Sequence, residues 1–220
     1  MKKLYFLFIL LISSSVSFGQ SIFINEIHYD NNGADLNEGV EIAGPAGTDI
    51  SGYVLEFYNG SSSPSPSYDI ITISGSLSGT LGFGMGVLWV PSVMQNGGPD
   101  GVALGSDGTS GGFIQFLNYE GGAGTMTTVV GIAAGQTSEN IGVTETSSTP
   151  VGFSLQLIGT GTDYTDFTWS SPIASTRDLE NTSQVLPVQR NEIANFSTYP
   201  NPVTNGEFFI NSANSIAKDV

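Results

Sequence analysis

A short stretch near the start of the sequence gathers side chains that could bind a hard cation. Residues 30–41 carry four carboxylates and three amides, with no Lys or Arg nearby. Calcium takes about 6–8 oxygens from carboxylates, amides and backbone carbonyls. A divalent ion would also offset the mutual repulsion of carboxylates held this close together. The pattern predicts a calcium site whose candidate ligands are Asp30, Asn32, Asp35, Glu38 and Glu41, with Asp100 as a further candidate.

The same stretch also fits a polar turn without a metal. Ala34 stands where an EF-hand loop has its third ligand, so that motif is absent. Asn and Asp side chains often bond their own backbone in turns. In a strand, Glu38 and Glu41 point to opposite faces, so both can be ligands only if Gly39 introduces a bulge. Asp30, Asn32 and Asp35 are therefore the favoured calcium ligands. Both interpretations, a calcium site and a polar turn without a metal, stay open.

Side chains suited to catalysis are scarce. The sequence has no Cys and one His, His28, which stands in an apolar run. A Gly-x-Ser-x-Gly pattern occurs at residues 108–112, but it stands in a turn-rich hairpin connection and not between a strand and a helix, so it is not a nucleophile elbow. Phosphate loops are absent, because no Lys follows the Gly-rich segments. One His falls short of the usual zinc ligand sets. Acids are plentiful enough for a glycosidase-like carboxylate pair, but no pattern places two in a pocket, and we expect no enzyme activity within these residues.

The charge distribution narrows the class of partner. The chain has a net charge of −15, and none of its five Lys and Arg residues lies between Gln20 and Thr176, where fifteen of its 20 acids stand. A surface without cations repels phosphate, so we do not expect direct nucleic-acid binding. Negative charge of this kind serves solubility, and it also suits divalent cations or basic partners.

Short apolar runs must position these side chains. The runs are rich in β-branched and aromatic residues, are bounded by Gly, Pro, Asn and Asp, and lack helical periodicity. About ten short strands with Gly-rich turns indicate an all-β fold, an antiparallel β-sandwich over residues 21–170. The predicted strands are residues 22–29, 40–42, 53–58, 68–73, 86–91, 102–104, 113–119, 128–132, 154–158 and 167–169.

The alternation within one run predicts which face meets the core. Leu55 and Phe57 share a strand face, and Glu56 lies on the other. We expect the face without Glu56 to be buried. Trp89 and Trp169 are predicted to be core or core-edge anchors, and stacking against a ligand is the alternative for either.

Both ends of the chain carry segments outside the predicted sandwich. A basic start, an apolar run at residues 4–12 and small residues before Gln20 predict a signal peptide, residues 1–19. That run is too short for a membrane span of about 20 residues. Residues 171–195 are predicted to be a linker, because the strand pattern fades there. Residues 196–220 read as the start of another β unit that is cut short.

Several short motifs resemble, in order and spacing, the lamin-tail domain family in its bacterial secreted form. They are INEI (24–27), EGVEI (38–42), DISGYVL (49–55), PDGVAL (99–104), FIQFLNYEG (113–121), FSLQLIG (153–159) and DFTW (166–169). Gly39 departs from the family, which usually has a bulky aromatic residue there. The resemblance implies an immunoglobulin-like β-sandwich without catalytic activity, often joined in bacteria to secreted hydrolases or surface anchors.

A second resemblance lies near the end of the chain. YPNPVTNGEFFIN, residues 199–211, is similar to the start of the C-terminal sorting domain used by the type nine secretion system of Bacteroidetes. It implies that the secretion machinery is a partner. It also implies a Gram-negative protein that is secreted or held on the outer cell surface.

These patterns predict a secreted or cell-surface, non-catalytic β-sandwich module that serves adhesion, recognition or tethering. Its ligand would be an extracellular protein or glycan, and calcium is the one cofactor that the residues suggest. The alternative is an accessory domain of a secreted hydrolase, of nuclease or phosphatase type, whose catalytic domain lies outside this chain.

Overall fold

The fold comes from a computed structural model that describes residues 22–81, 84–120, 124–185, 197–204 and 207–211. The chain divides into two compact units, Met1–Pro187 and Val188–Val220. The predicted signal peptide, residues 1–19, lies outside the described residues.

Strands dominate the described residues, which contain no α-helix. Two 3-10 turns, Ser110–Gly112 and Tyr164–Asp166, precede strands. The strands are β1 Phe23–His28, β2 Gly39–Pro45, β3 Val54–Asn59, β4 Ser67–Thr72, β5 Ser78–Leu81, β6 Met85–Pro91, β7 Asp100–Gly105, β8 Phe113–Tyr119, β9 Glu139–Asn140, β10 Phe153–Thr160, β11 Phe167–Trp169, β12 Ile173–Ala174, β13 Gln184–Val185, β14 Ser197–Thr204 and β15 Glu207–Asn211.

The strands of the first unit form two sheets that pack face to face. The first sheet has the order β11-β10-β1-β2-β6-β5, and β12 and β13 also pair with β10. The second has the order β4-β3-β7-β8-β9. All pairs are antiparallel except the short pairs β10–β13 and β8–β9. The predicted all-β sandwich is therefore confirmed.

The core lies between the two sheets. Ile27 and Val40 of the first sheet and Leu55, Phe57 and Leu104 of the second belong to one buried cluster. Period-two alternation puts these side chains on the inner faces. The prediction that Leu55 and Phe57 face the core is confirmed.

Nine of the ten predicted strands have counterparts in the structure, and β8 has the predicted bounds. The prediction for residues 128–132 is wrong, because this β-branched stretch forms turns. Gly131 has φ +69°, and Gly135 N donates back to Thr128 O at 2.9 Å, which closes a loop. Apolar content alone did not separate this covering loop from a strand.

The predicted linker also begins too early. Residues 171–185 contribute β12 and β13 to the first sheet, and the first compact unit extends to Pro187. The segment lacks a strand pattern because polar side chains attach it to the sheet. The rest of the predicted linker lies outside the described residues.

In the second unit, β14 and β15 form an antiparallel hairpin, with Tyr199 opposite Phe209. The hairpin falls within the predicted C-terminal β unit, residues 196–220. The resemblance of that unit to a sorting domain stays a prediction.

Candidate functional site

The predicted metal ligands lie in and beside the loop that joins β1 to β2. This loop folds largely on its own backbone. Asn31 donates from its amide to Ala34 O at 2.8 Å and accepts from Leu36 N at 3.0 Å. Asp35 Oδ1 accepts from Asn31 N at 3.2 Å. These are the contacts of the polar-turn interpretation.

The structure brings together only part of the predicted ligand set. Burial and the charge of Asp35 raise the pKa of Asp30, so these two carboxylates lie close together. Asn32 is exposed, and its N–H donates to Thr149 O at 2.8 Å. Glu41 lies apart from the loop, buried within β2. Among the described residues, no group of three or more His, Asp or Glu side chains could hold a metal ion. The calcium hypothesis stays a prediction that rests on Asp30 and Asp35.

A cleft of about 460 Å³, which we call the acidic cleft, lies beside this loop. Three carboxylates line it, and they come from the loop and from the first residue of β7: Asp35, Glu38 and Asp100. Asp100 is only 3 % exposed, and burial raises its pKa. Its Oδ1 accepts a long hydrogen bond of 3.3 Å from Gly60 N. The apolar residues Val93 and Met94 also line the cleft, and Val93 is 78 % exposed.

Hydrogen bonds hold the rim of the acidic cleft. Asn96 Nδ2 donates to Asp35 Oδ2 at 3.2 Å, which links the β1–β2 loop to the segment after β6. Gly98 N donates to a carboxylate oxygen of Glu120 at 3.0 Å. Burial, and next the charge of Asp35, raise the pKa of Glu38. The cleft is thus an acidic surface with an apolar wall, and hydrogen bonds hold its rim in place.

His28 is a structural residue rather than a candidate base. It is fully buried, its Nδ1 lies 2.9 Å from Glu145 Oε1, and its Nε2 lies 3.1 Å from Leu36 O. Both nitrogens lie beside oxygens, an arrangement that favours the doubly protonated ring. Burial lowers the pKa of His28, but the hydrogen bond and charge of Glu145 outweigh it, and the net shift is upward. The other oxygen of Glu145 accepts from Tyr29 N and Asp30 N, so the pair secures the end of β1.

Four side chains form a row across the outer face of the first sheet, which we call the outer row. Gln156, Glu26, Glu41 and Trp89 are successive cross-strand partners on β10, β1, β2 and β6. Cross-strand partners share a face, and one neighbour of each of these residues belongs to the core cluster: Leu155, Ile27, Ile42 and Val90. Glu26 and Glu41 are both 0 % exposed. Carboxylates need hydrogen-bond partners to be buried in this way.

Residues 175–184, which we call the strap, supply many of those partners. Ser175 Oγ donates to Glu26 Oε1 at 2.6 Å, and Thr176 Oγ1 donates to Glu26 Oε2 at 2.9 Å. Asp178 N donates to Glu41 Oε2 at 2.7 Å. The second oxygen of Glu41 accepts from the Asn25 side chain, on β1, at 2.9 Å.

The far half of the strap is held in the same way. Asn181 Nδ2 donates to Asn25 O at 2.9 Å, and Gln184 Nε2 donates to Asn25 Oδ1 at 2.8 Å. Thr182 N donates to Gln156 Oε1 at 3.2 Å. The strap is therefore attached to the sheet along its length by polar contacts.

Trp89 closes the outer row, and Gly39 makes room for it. Arg177 Cζ lies 4.4 Å from the centroid of the Trp89 ring, and Trp89 N donates to Asp178 Oδ1 at 3.0 Å. A Cβ on Gly39 would lie 2.6 Å from both Trp89 Cζ2 and Val90 O. The indole thus occupies the space that an aromatic residue at position 39 would need. Trp89 is half-buried on the outer face of the first sheet and not at the core edge, so that prediction is wrong for Trp89, and Arg177 stacks on its ring. Trp169 packs against the core, as predicted.

The second sheet has a covering loop of its own, residues 126–133. Its residues Met126 and Ile132 pack with Tyr58 on the outer face of that sheet. Glu56, 5 % exposed, accepts from Ile132 N at 2.8 Å. Gly131 lies so close to this carboxylate that only glycine fits there. Neither Glu26 nor Glu56 was predicted from the sequence to bond a covering segment. The pattern that could have identified both is an acidic residue inside an apolar strand.

The comparisons with known proteins add no family. No family model matches the chain, and neither a curated protein nor a solved structure matches it. In the part of the chain that the structure describes, no helix is long and apolar enough to cross a membrane.

Proposed function

We propose that the chain is a non-catalytic β-sandwich module of a secreted or cell-surface protein, serving adhesion, recognition or tethering. The observation that carries this proposal is that the buried acid–base groups of the described residues bond the chain itself. Five do so at the strap, at the covering loop or at the end of β1: Glu26, His28, Glu41, Glu56 and Glu145. The sixth, Asp100, accepts a hydrogen bond from Gly60 N and lines the acidic cleft. General acid–base catalysis needs such a group within reach of a substrate proton.

The acidic cleft is the surface best suited to recognition, and its chemistry suits a Lys or Arg side chain. These side chains combine an apolar stem with a charged head. Val93 and Met94 would contact the stem, while Asp35, Glu38 and Asp100 would accept charge-assisted hydrogen bonds from the head. Between residues 22 and 176 the chain has no Lys or Arg of its own to neutralise these carboxylates. The partner is therefore a basic segment of an extracellular protein.

Fluorescence anisotropy of a labelled Lys/Arg peptide, titrated with the whole chain, tests this recognition. We expect saturable binding that weakens with salt, because exposed charges are screened. The acetylated, citrulline-containing peptide should not bind, and Asp35→Asn with Asp100→Asn should abolish binding of the basic peptide. Asp107→Asn is the matched control, since Asp107 is an exposed acid outside the cleft. Equal binding by the cleft variant and by the control would contradict the cleft assignment.

A separate assay tests the absence of catalysis. The whole chain is incubated with fluorogenic phosphomonoester, glycoside and DNA substrates, with and without calcium. We expect no turnover above buffer. Turnover that disappears in His28→Gln or Glu41→Gln would show that a buried group takes part in chemistry, and the module would then be an enzyme.

A further inference from the structure

Glu26 and Glu41 are two buried carboxylates placed directly opposite each other on neighbouring strands. Like charges at such positions repel each other, and a buried charge without a partner is costly. Among the described residues the one ion pair within 4.0 Å is His28–Glu145, so neither Glu26 nor Glu41 has a basic partner at that distance. The geometry therefore favours one shared negative charge over two.

The groups facing the pair do not change this conclusion. From β1 and β10, neutral Asn25 and Gln156 adjoin it. From the strap, Asp178 adds a further negative charge near Glu41. Arg177 acts on Glu26 only at longer range, because its guanidinium stacks on the neighbouring tryptophan, and its buried Nε has no hydrogen-bond partner. Burial, and next the charge of Glu26, raise the pKa of Glu41 to about 8.

We propose that the strap is a proton-controlled latch, held on the sandwich while Glu41 is protonated beside Glu26 and loosened as that proton is lost. The contacts of Ser175, Thr176 and Asp178 with the two carboxylates hold the latch closed. Opening exposes Glu41 to water, where it can ionise away from the charge of Glu26. The proton goes to solvent, and apart from that O–H bond no covalent bond changes.

Release of the strap would uncover the outer row. The strap covers Glu26 and Glu41, which are both fully buried while its contacts are made. The latch would therefore control the access of water to this face of the first sheet, which is distinct from what the acidic cleft binds.

Trypsin gives a direct readout of the latch. Arg177 lies within the strap, and no other Lys or Arg stands between Lys3 and Arg190. Cleavage after Arg177 therefore reports strap opening, and a free arginyl peptide in the same tube corrects for the pH dependence of the protease. The pKa of Glu41 is raised on folding, so the closed strap is favoured most at low pH. We expect corrected cleavage to rise by up to about tenfold per pH unit between pH 6 and 8 and then to level off.

Variants separate the latch from general loosening. Glu41→Gln and Glu26→Gln should each make corrected cleavage nearly independent of pH, because either removes the second charge. Glu38→Gln is the matched control: its pKa is also raised by burial, but it lies in the acidic cleft, and it should keep the wild-type profile. Near-UV circular dichroism should stay native throughout. Cleavage that does not change from pH 6 to 8.5, an unchanged rise in both glutamine variants, or loss of the native spectrum together with cleavage would overturn the proposal.

Discussion

A chain segment covers each outer face of the sandwich, and the contacts that hold the two covers differ in chemistry. On each, a chain segment covers a sheet and a glutamate from the strand beneath accepts backbone N–H groups of that segment. Over the second sheet the cover is apolar, with Met126 and Ile132 buried beside one carboxylate. Over the outer row it is polar, with two carboxylates in contact with the strap. Hydrophobic burial is insensitive to pH and buried carboxylates are not, so we expect the two covers to respond differently.

The largest expected effect is on the polar side, at the ion pair that secures β1. His28→Gln leaves Glu145 buried without its cation and should lower the free energy of unfolding by about 3–5 kcal/mol. The pKa of His28 is raised on folding. Its contribution is therefore fully present below pH 6.5 and is lost as the pH rises through the folded pKa. Urea denaturation of both proteins at pH 5.5, 7 and 9 measures the difference, which should shrink with rising pH; a constant difference would mean that the ring is neutral.

A substitution in the apolar cover should give the next largest loss of stability, and this loss should not depend on pH. Ile132→Ala removes a fully buried side chain and should cost about 2–5 kcal/mol, because a cavity is left under the covering loop. Val129→Ala, at a residue 69 % exposed in the same loop, is the control and should change little. The same denaturation series applies. A cost for Ile132→Ala that varied with pH as the His28→Gln cost does would remove the distinction between the covers.

A smaller loss of stability should follow substitution of Gly39, the glycine that packs against Trp89. Gly39→Ala places a Cβ 2.6 Å from a backbone carbonyl oxygen and from the indole, so overpacking should cost about 1–3 kcal/mol. Trp89 fluorescence should shift as the ring moves. Gly108→Ala is the matched control, because a Cβ there meets nothing within 4 Å. Equal stability of the two variants would show that Trp89 does not depend on this glycine.

The smallest expected effect concerns calcium at the β1–β2 loop. Only Asp30 and Asp35 lie close together there, so we expect a slight rise of the melting temperature in millimolar calcium relative to chelator. Asp30→Ala with Asp35→Ala should remove it. Magnesium is the control for a general effect of ionic strength, and an identical wild-type melting curve in calcium and chelator would leave the loop as a polar turn.

Local pattern carried the strand predictions, and they failed where structure depended on distant contacts. β8 is an apolar run rich in aromatic residues, and its predicted bounds are those of the structure. Residues 128–132 are rich in β-branched residues, which also favours a strand. The chain nevertheless turns at Gly131, where Glu56, far away in the sequence, accepts from Ile132 N. Residues 171–185 show no strand pattern, since their attachment depends on polar side chains buried by the fold.

The candidate site shows the same division. Asp30, Asp35 and Glu38 are close in sequence; Asp35 and Glu38 line the acidic cleft, and Asp30 lies near Asp35. Glu41 is close to them in sequence too, but the strand direction takes it to the outer row. Asp100 joins the cleft across the sandwich, which only the pairing of β3 with β7 makes possible.

The sequence by itself determined an all-β sandwich, the inward face of β3 and an acidic surface almost free of cations. These follow from residue type and period-two alternation, which act over a few neighbours. Only the tertiary structure decided that Glu26 and Glu41 would face each other, that Arg177 would stack on Trp89, and that the predicted linker would become a strap. Those contacts join residues up to 159 positions apart, and their energies depend on burial, which no local pattern encodes.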